Sequence, residues 1–442
     1  MTSDFVKLGV LASQKGAIVS GPFGSNIGRK FFRESGVPLI RGNNLSIGCY
    51  PYFKEEGFVF ITEEKADELK NCTSIKGDII LTAAGTIGQT GMITSAQKFP
   101  KYIISNKQIR IRVDSEISDS LFVYYWLSSP DMNWVIESYN SGSTVPLINL
   151  SSVRRFPIPN FPLQTQEKIS GLLSLIDSAI ISFDLTSKNL ESYISLLFRS
   201  WFIDFDPVKA KVDGKFPYGM DEETAALFPD SFEDSEIGLI PKGWTLQQLS
   251  DFADVIDCSR GQREKPEQVD SGFGTLLHVW NIENDGGINF SKTYEVTEKD
   301  FEIWASRILL SEGDCVMTKT GRVAAIGRIS RHMNRKLALG RNMIGIRSLN
   351  APSFTYAYLK SPLKDSEVMR WMLPGTVMPA LHVSMARRLS VIVPSKDILA
   401  KFEEIVKPLI CLIDESRAKN ILLSNCRDAL LPRLMSGELK LN

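Results

Sequence analysis

Apolar residues along this 442-residue chain fall into two alternating regimes. Over 1–160 and again over 241–395 they come in short, β-branched runs (DIILT, YIISN, IRIRV, CVMTK, MIGIRS) broken by Gly, Asn and Ser. That pattern predicts short strands in small twisted sheets. One short helical stretch stands in each region, at 121–129 and 354–362. Beyond each region the period changes. Ile169, Ile176, Phe183, Leu190 and Leu197 mark an unbroken seven-residue step, with Leu172, Ala179 and Tyr193 on the adjoining position. Phe402, Leu409, Leu423 and Leu430, with Ile405, Leu412 and Cys426, repeat the step less regularly, interrupted by Ser416 and Lys419. Two long helices with a coiled-coil seam are predicted, each roughly 50 Å long at about 1.5 Å per residue. The plainer alternative is an amphipathic helix packed on its own domain; one such helix after each region favours helices that pack on each other. The fold class expected is α+β.

The two strand-rich regions are copies of one another. At an offset of 236, Gly77-Asp78 falls on Gly313-Asp314, Thr82 on Thr318, Gly85 on Gly321, Gly91 on Gly327, Ile93 on Ile329 and Asn106 on Asn342. With small insertions the match extends outward: KLGVLA (7–12) echoes QLSDFA (248–253), and LIRGNNL (39–45) echoes LHVWNI (277–282). Gly142 and Pro146 echo Gly375 and Pro379, and Arg154-Arg155 echoes Arg387-Arg388. The expected order is a first module at 1–160, a long helix at 161–202, a connector at 203–240, a second module at 241–395, and a second long helix with a tail at 396–442.

A formal net charge of zero argues against nucleic acid only until it is read by segment. The connector holds three basic and ten acidic residues, which masks an excess of +3 in the first module and +4 in the second. Within the second, 307–347 carries nine basic residues against two acidic ones. The six cysteines lack CxxC spacing and read as buried small hydrophobes, not a zinc site or a disulfide framework. No apolar run approaches the ~18 residues of a membrane span, and MTSDFVKLG lacks the basic and apolar regions of a signal peptide. A cytoplasmic protein with no membrane partner is expected.

A search for chemistry returns little. Three histidines, His278, His332 and His382, have no metal-ligand spacing. GDCVMTKTG (313–321) places its lysine before the final glycine with no Ser/Thr after it, so it is not a P-loop. No GxSxG elbow is present. Glu63 and Lys65 resemble half a nuclease motif, but the simpler reading is a helix start. Asp206-Pro207-Val208 lacks the second proline and the aromatic of amino-methyltransferase motifs. The first copy of the glycine loop, TAAGTIG, has neither the lysine nor the arginine of the second, a difference that equivalent catalytic sites would not show. Neither a catalytic residue nor a bound metal nor any cofactor is expected.

Recognition residues would differ in this way. The glycines, the Gly-Asp turn and the apolar residues recur, while Arg41, Asn43 and Asn44 face His278, Trp280 and Asn281. Likewise Ala83, Ala84 and Thr86 face Lys319, Thr320 and Arg322. Arg and Lys suit guanine, Asn suits adenine, and small or apolar groups suit the thymine methyl. These residues, with Arg341 and Asn342 and their counterparts Asn106 and Lys107, are the candidate DNA contacts. Drift on a solvated loop is the competing explanation.

Against this background, GLIPKGWTLQQLSDF (238–252), FPLQTQEKISGLLSLIDSAI (161–180), LFRSWFIDFDPV (197–208) and LLPRLMSGEL (430–439) resemble phrases of the specificity (S) subunit of type I restriction-modification enzymes. The resemblance covers essentially the whole chain, although MTSDFVKLGVLA lacks the IPKGW-like entry that precedes the second module. It implies two target-recognition domains joined by an antiparallel helix pair with pseudo-twofold symmetry, each domain binding half of a split asymmetric site on double-stranded DNA. It also implies a non-catalytic chain whose helices dock methyltransferase (M) subunits, two of them, with restriction (R) subunits joining the assembly. A fused methyltransferase or nuclease, and a protein-binding scaffold, are the alternatives.

Overall fold

A computed structural model describes residues 5–48, 52–94, 97–142, 144–257, 265–371 and 380–441. The chain divides into two compact units, one formed by 1–181 with 421–442 and the other by 182–420.

The first unit is built on buried, nearly all-apolar strands. Ile79–Thr82 is buried at every position, as a strand covered on both faces must be. It is central in an antiparallel sheet ordered Ile18–Ser20, Gln108–Ile111, Ile79–Thr82, Thr90–Met92. A second sheet runs Val59–Ile61, Val37–Ile40, Tyr102–Ile104, Thr73–Ser74, and its central pair is parallel. Phe5–Lys7 pairs with Pro157–Pro159 and closes the module's first strand on its last.

In the second unit the same plan returns with one strand fewer among the described residues. Asp254–Asp257, Met343–Arg347, Cys315–Thr318 and Ile326–Arg328 form the antiparallel sheet. Glu295–Val296, Gly274–Leu277 and Leu337–Leu339 form the other, which has three strands, the last two parallel like Val37–Ile40 and Tyr102–Ile104, and no described counterpart to Thr73–Ser74. Thr245–Gln248 and Ser390–Val393 close the module. The repeat read from sequence is therefore a repeat of topology; Gly375 and Pro379, at the far end of that match, lie outside the described residues.

The repeated residues have structural causes. Gly77 and Gly313 turn with φ of +90° and +87°, a conformation that favours glycine. The aspartate after each is buried and accepts from the backbone N–H of Ile75 or Ser311. Arg112 and Arg347, one strand away, each bridge that carboxylate with two nitrogens. Hydrogen bonding to the aspartate holds both guanidiniums above their usual range. At Gly91 and Gly327 a Cβ would lie 2.5 Å from the Leu45 side chain and 2.9 Å from that of Ile282, so the turn after each central strand packs flat on a glycine. Arg154 and Arg387 donate to the carbonyls of Ile18 and Val255, which are again equivalent positions.

Two 40-residue helices, Leu163–Phe202 and Lys396–Met435, are present. Within the first unit, Asp177 meets Arg427; within the second, Phe183 meets Lys419, Glu191 meets Arg417 and Phe198 meets Phe402, so the helix segments there run antiparallel. The seven-residue step is real, but the seam lies beside the predicted one. Of the expected positions Ile169 is buried; beyond it Leu173, Ile180, Ile194 and Trp201 are buried, together with Asp177 and Ser187, while Ile176, Phe183, Leu190 and Leu197 are only half-buried flanks and Tyr193 is exposed. On the second helix Ile398, Phe402, Val406, Ile410, Ile413, Arg427, Leu431 and Leu434 are buried, whereas Leu412 and Cys426 are exposed. Polar residues occupy the seam, so the apolar count follows its edge.

Those polar residues are paired. Asp177 takes Arg427 at 2.9 Å and the Tyr125 hydroxyl at 2.6 Å. Glu191 accepts from Tyr356 at 2.7 Å and from Arg417 at 3.4 Å, and Arg328 bridges Asp414. Burial and the adjacent carboxylates push both tyrosines far above their usual range. Leu163–Phe202 is, among the described helices, long and apolar enough by length and composition to cross a membrane, which the count of apolar runs did not anticipate. Its buried Asp177 and half-buried Glu191, paired to the other long helix, account for it as half of a helix pair.

The cysteines divide too. Cys72 and Cys315 are buried, Cys411 is intermediate and Cys426 is exposed; Cys49 and Cys258 lie outside the described residues. Complete burial pushes the Cys315 thiol up to about 12. In the connector, Pro207 sits in the first turn of a short helix, Asp206–Val212, and is buried there.

Candidate nucleic-acid interface

Chain geometry gathers the predicted contacts at one edge of each module. Two parallel strands end side by side, and the strand antiparallel to its neighbour in the other sheet ends next to them. In the second module Gly340 donates to Leu277 O at 2.8 Å, and Lys319 N donates to Asn342 O at 2.8 Å. The turn Val279–Asn281 that His278 leads into, the loop after Thr318 and the turn 340–342 are thus tied together. In the first, Ser105 N donates to Ile40 O at 2.9 Å and Ala83 N to Lys107 O at 2.8 Å, which ties 41–44, 83–89 and 105–107 in the same way.

At that edge the side chains divide by role. Asn44 and Asn281 are wholly buried. Each accepts at Oδ1 from the backbone N–H three residues earlier and donates from Nδ2 to two carbonyls, Lys54 and Glu56 in one copy, Asn289 and Lys292 in the other. Both amide ends are committed to the backbone, so these two candidates are corrected to scaffold: they recur because the turn needs them. Asn43, Thr86, Asn106 and Lys107 are exposed, and Arg41 is half-buried, donating to Gly57 O at 3.0 Å.

In the second module, Trp280 is about half exposed and lies flat on His278, with centroids 4.3 Å apart and planes 5° apart. Tyr294 backs the imidazole at 4.9 Å, and the Lys292 ammonium lies 5.2 Å from the indole centroid. Burial holds the His278 pKa down to about 4, so the ring is neutral at ordinary pH. Lys319 is not a free probe: only 12% of its side chain is exposed, and it pairs with Asp257 at 3.1 Å. Arg322 is exposed, its guanidinium held by Asn284 Oδ1 and the Ile282 carbonyl. Thr320 is half-buried, and Arg341 and Asn342 are exposed.

The basic run 307–347 changes meaning. Lys319 pairs with Asp257, Arg328 with Asp414, Arg331 with Glu415, Arg335 with Glu295 and Arg347 with Asp314. Four of those five acids lie outside the run, so folding neutralises much of an excess that looked like a single patch.

Reading by repeats missed residues that differ by insertion. Phe23, Arg29 and Lys30 are exposed on the loop that follows Ile18–Ser20, and Asn284 and Lys292 flank Trp280 and Arg322. A signal for the first group stood in the sequence: an aromatic between glycines, GPFG, just ahead of a basic pair. Among the described residues no group of His, Cys, Asp and Glu is arranged to hold a metal.

The family described as the type I restriction modification DNA specificity domain matches residues 34–190. The MjaIX specificity subunit of a type I restriction enzyme from Methanocaldococcus jannaschii is 27% identical, over 91% of this chain and 87% of its own length. The HindI specificity subunit from Haemophilus influenzae is 24% identical, over 82% of this chain and 87% of its own. A solved S subunit from M. genitalium shares the fold with a TM-score of 0.58 at 15% identity, covering 97% of this chain and 95% of that one. The resemblance carried by the four sequence phrases is borne out, and the matched family is one of DNA-specificity domains rather than of catalytic ones.

Proposed function

We infer that this chain is the non-catalytic specificity subunit of a type I restriction-modification system and that each module reads one half of a split, asymmetric site on double-stranded DNA. One observation carries the reading: a single backbone edge occurs twice, with the same buried asparagine and glycines and with different exposed side chains. Asn43, Thr86, Asn106 and Lys107, with Arg41, read the first half-site. Trp280, Thr320, Arg322, Arg341 and Asn342 read the second, backed by His278 and Lys319, whose own polar groups face inward. Base edges in the major groove offer the donors, acceptors and methyl groups these side chains suit.

Assembly with methyltransferase subunits, two in number, and through them with restriction subunits, is supported by what the helix pair leaves uncovered. Leu175, Leu185 and Leu196 on the first helix and Leu412, Ile421 and Leu422 on the second are 50–70% exposed, on the sides away from the buried seam. Such apolar side chains along long helices suit a protein partner. The partners would share the phosphate contacts that dominate affinity, which reconciles a neutral chain with DNA binding. The helices set the spacer between half-sites, and the setting is the cytoplasm.

Selection of bound duplexes from a random pool by the chain with its methyltransferase partner tests this. The result expected is two short conserved words at fixed separation. Recovery of no conserved sequence would favour a scaffold that binds only protein.

A further inference from the structure

Phe23 is 84% exposed, among the most exposed large apolar side chains of the molecule. A lone exposed apolar residue needs no explanation, but this one is held in place. Gly21 abuts the 105–107 turn so closely that a Cβ there would lie 1.8 Å from Ser105 O, and its N–H donates to Gln108 O at 2.8 Å. Pro22 fixes the next φ. After the apex, Asn26 N–H donates back to Phe23 O at 2.8 Å, and Ile27 is buried in the core beneath the second sheet. The apex is thus anchored on both sides, and Gly24 lies against the Asn106 amide, its Cβ position 3.3 Å from Nδ2. Exposed Arg29 and Lys30 follow on the same loop, exposed Asn106 and Lys107 belong to the abutting turn, and no acidic residue lies between 21 and 33. A preorganised apolar tip on a loop that carries basic and no acidic residues is matched by a polyanion that has an apolar interior reached between its charges, which is what stacked DNA offers.

We propose that Phe23 is a wedge that enters the duplex at the first half-site and unstacks one base step. The proposal rests on the reading of that module as a DNA reader. Inserted apolar side chains unstack and kink DNA, most cheaply at flexible pyrimidine–purine steps. In the second module the stretch that follows the equivalent strand, 258–264, lies outside the described residues, and its sequence, CSRGQRE, has no aromatic residue.

The test uses the full chain with its methyltransferase partner and duplexes carrying both selected half-sites, with 2-aminopurine placed step by step through the first. Wild type should raise fluorescence at one step. Phe23→Ala should abolish that rise and weaken binding about tenfold or more, with selectivity at the second half-site and assembly with the partner unchanged. Phe23→Leu should retain part of the rise. Unchanged binding by Phe23→Ala overturns the wedge, and so does weaker binding with no fluorescence change in wild type, which would place the ring on the DNA backbone or on protein. In both cases the two-half-site reading stands. If the wild-type complex selects no half-site, that reading falls and the wedge with it.

Discussion

Replacing Arg427 with methionine strands a carboxylate. Asp177 is wholly buried, and its partners are Arg427 Nη1 at 2.9 Å and the Tyr125 hydroxyl at 2.6 Å. With the guanidinium gone, one phenol donor must support the charge alone. Removing one member of a buried pair costs about 3–5 kcal/mol, whereas replacing both by apolar groups of similar volume is close to neutral. At a urea dependence of about 2–3 kcal/mol/M, the unfolding midpoint of Arg427→Met should fall by roughly 1–2.5 M. Asp177→Leu combined with Arg427→Met should return to within about 1 kcal/mol of wild type, since Tyr125 keeps the Tyr52 hydroxyl at 2.6 Å. Urea titration of the full chain, followed by circular dichroism and by tryptophan emission, reads both. A single variant that costs under about 1 kcal/mol, or a double variant as unstable as the single, would refute the view that the seam is held by a desolvated ion pair.

Other perturbations bear on the readout. Arg322→Ala should relax selectivity at one position of the second half-site by about 1–3 kcal/mol and leave the first untouched; uniform weakening on all DNA would make it a phosphate contact. Removing seven residues from each long helix should change the spacer and neither half-site, and an unchanged spacer would end the ruler idea. His278 should titrate near 4 by NMR. Because its folded pKa lies below the unfolded value, the unfolded chain binds the proton first, and the second unit should lose stability as pH falls from about 6.5 towards 4. A midpoint near 6.5 would contradict its burial beneath Trp280.

The sequence showed most where residues repeat. Gly77-Asp78 and Gly313-Asp314 marked the same turn, and the offset of 236 places Ile79–Thr82 on Cys315–Thr318. It misled where a residue's partner is distant in sequence. The cations of 307–347 looked like a patch because Asp257, Glu295, Asp414 and Glu415 are far along the chain. The heptad ridge at Ile176 and Phe183 looked like the seam because the true one carries Asp177 and Ser187, which a count of apolar residues passes over. Asn44 and Asn281 looked like adenine readers by residue type, yet their recurrence at the same position in both copies was itself the sign of scaffold.

Mapping every methylated position in DNA exposed to the assembled complex tests the central claim most directly. Two separate words at one fixed spacing, with only the second degraded by Arg322→Ala and only the first by Lys107→Ala, is the result predicted. A single continuous word, or loss of both words from either variant, would contradict two modules that read independently.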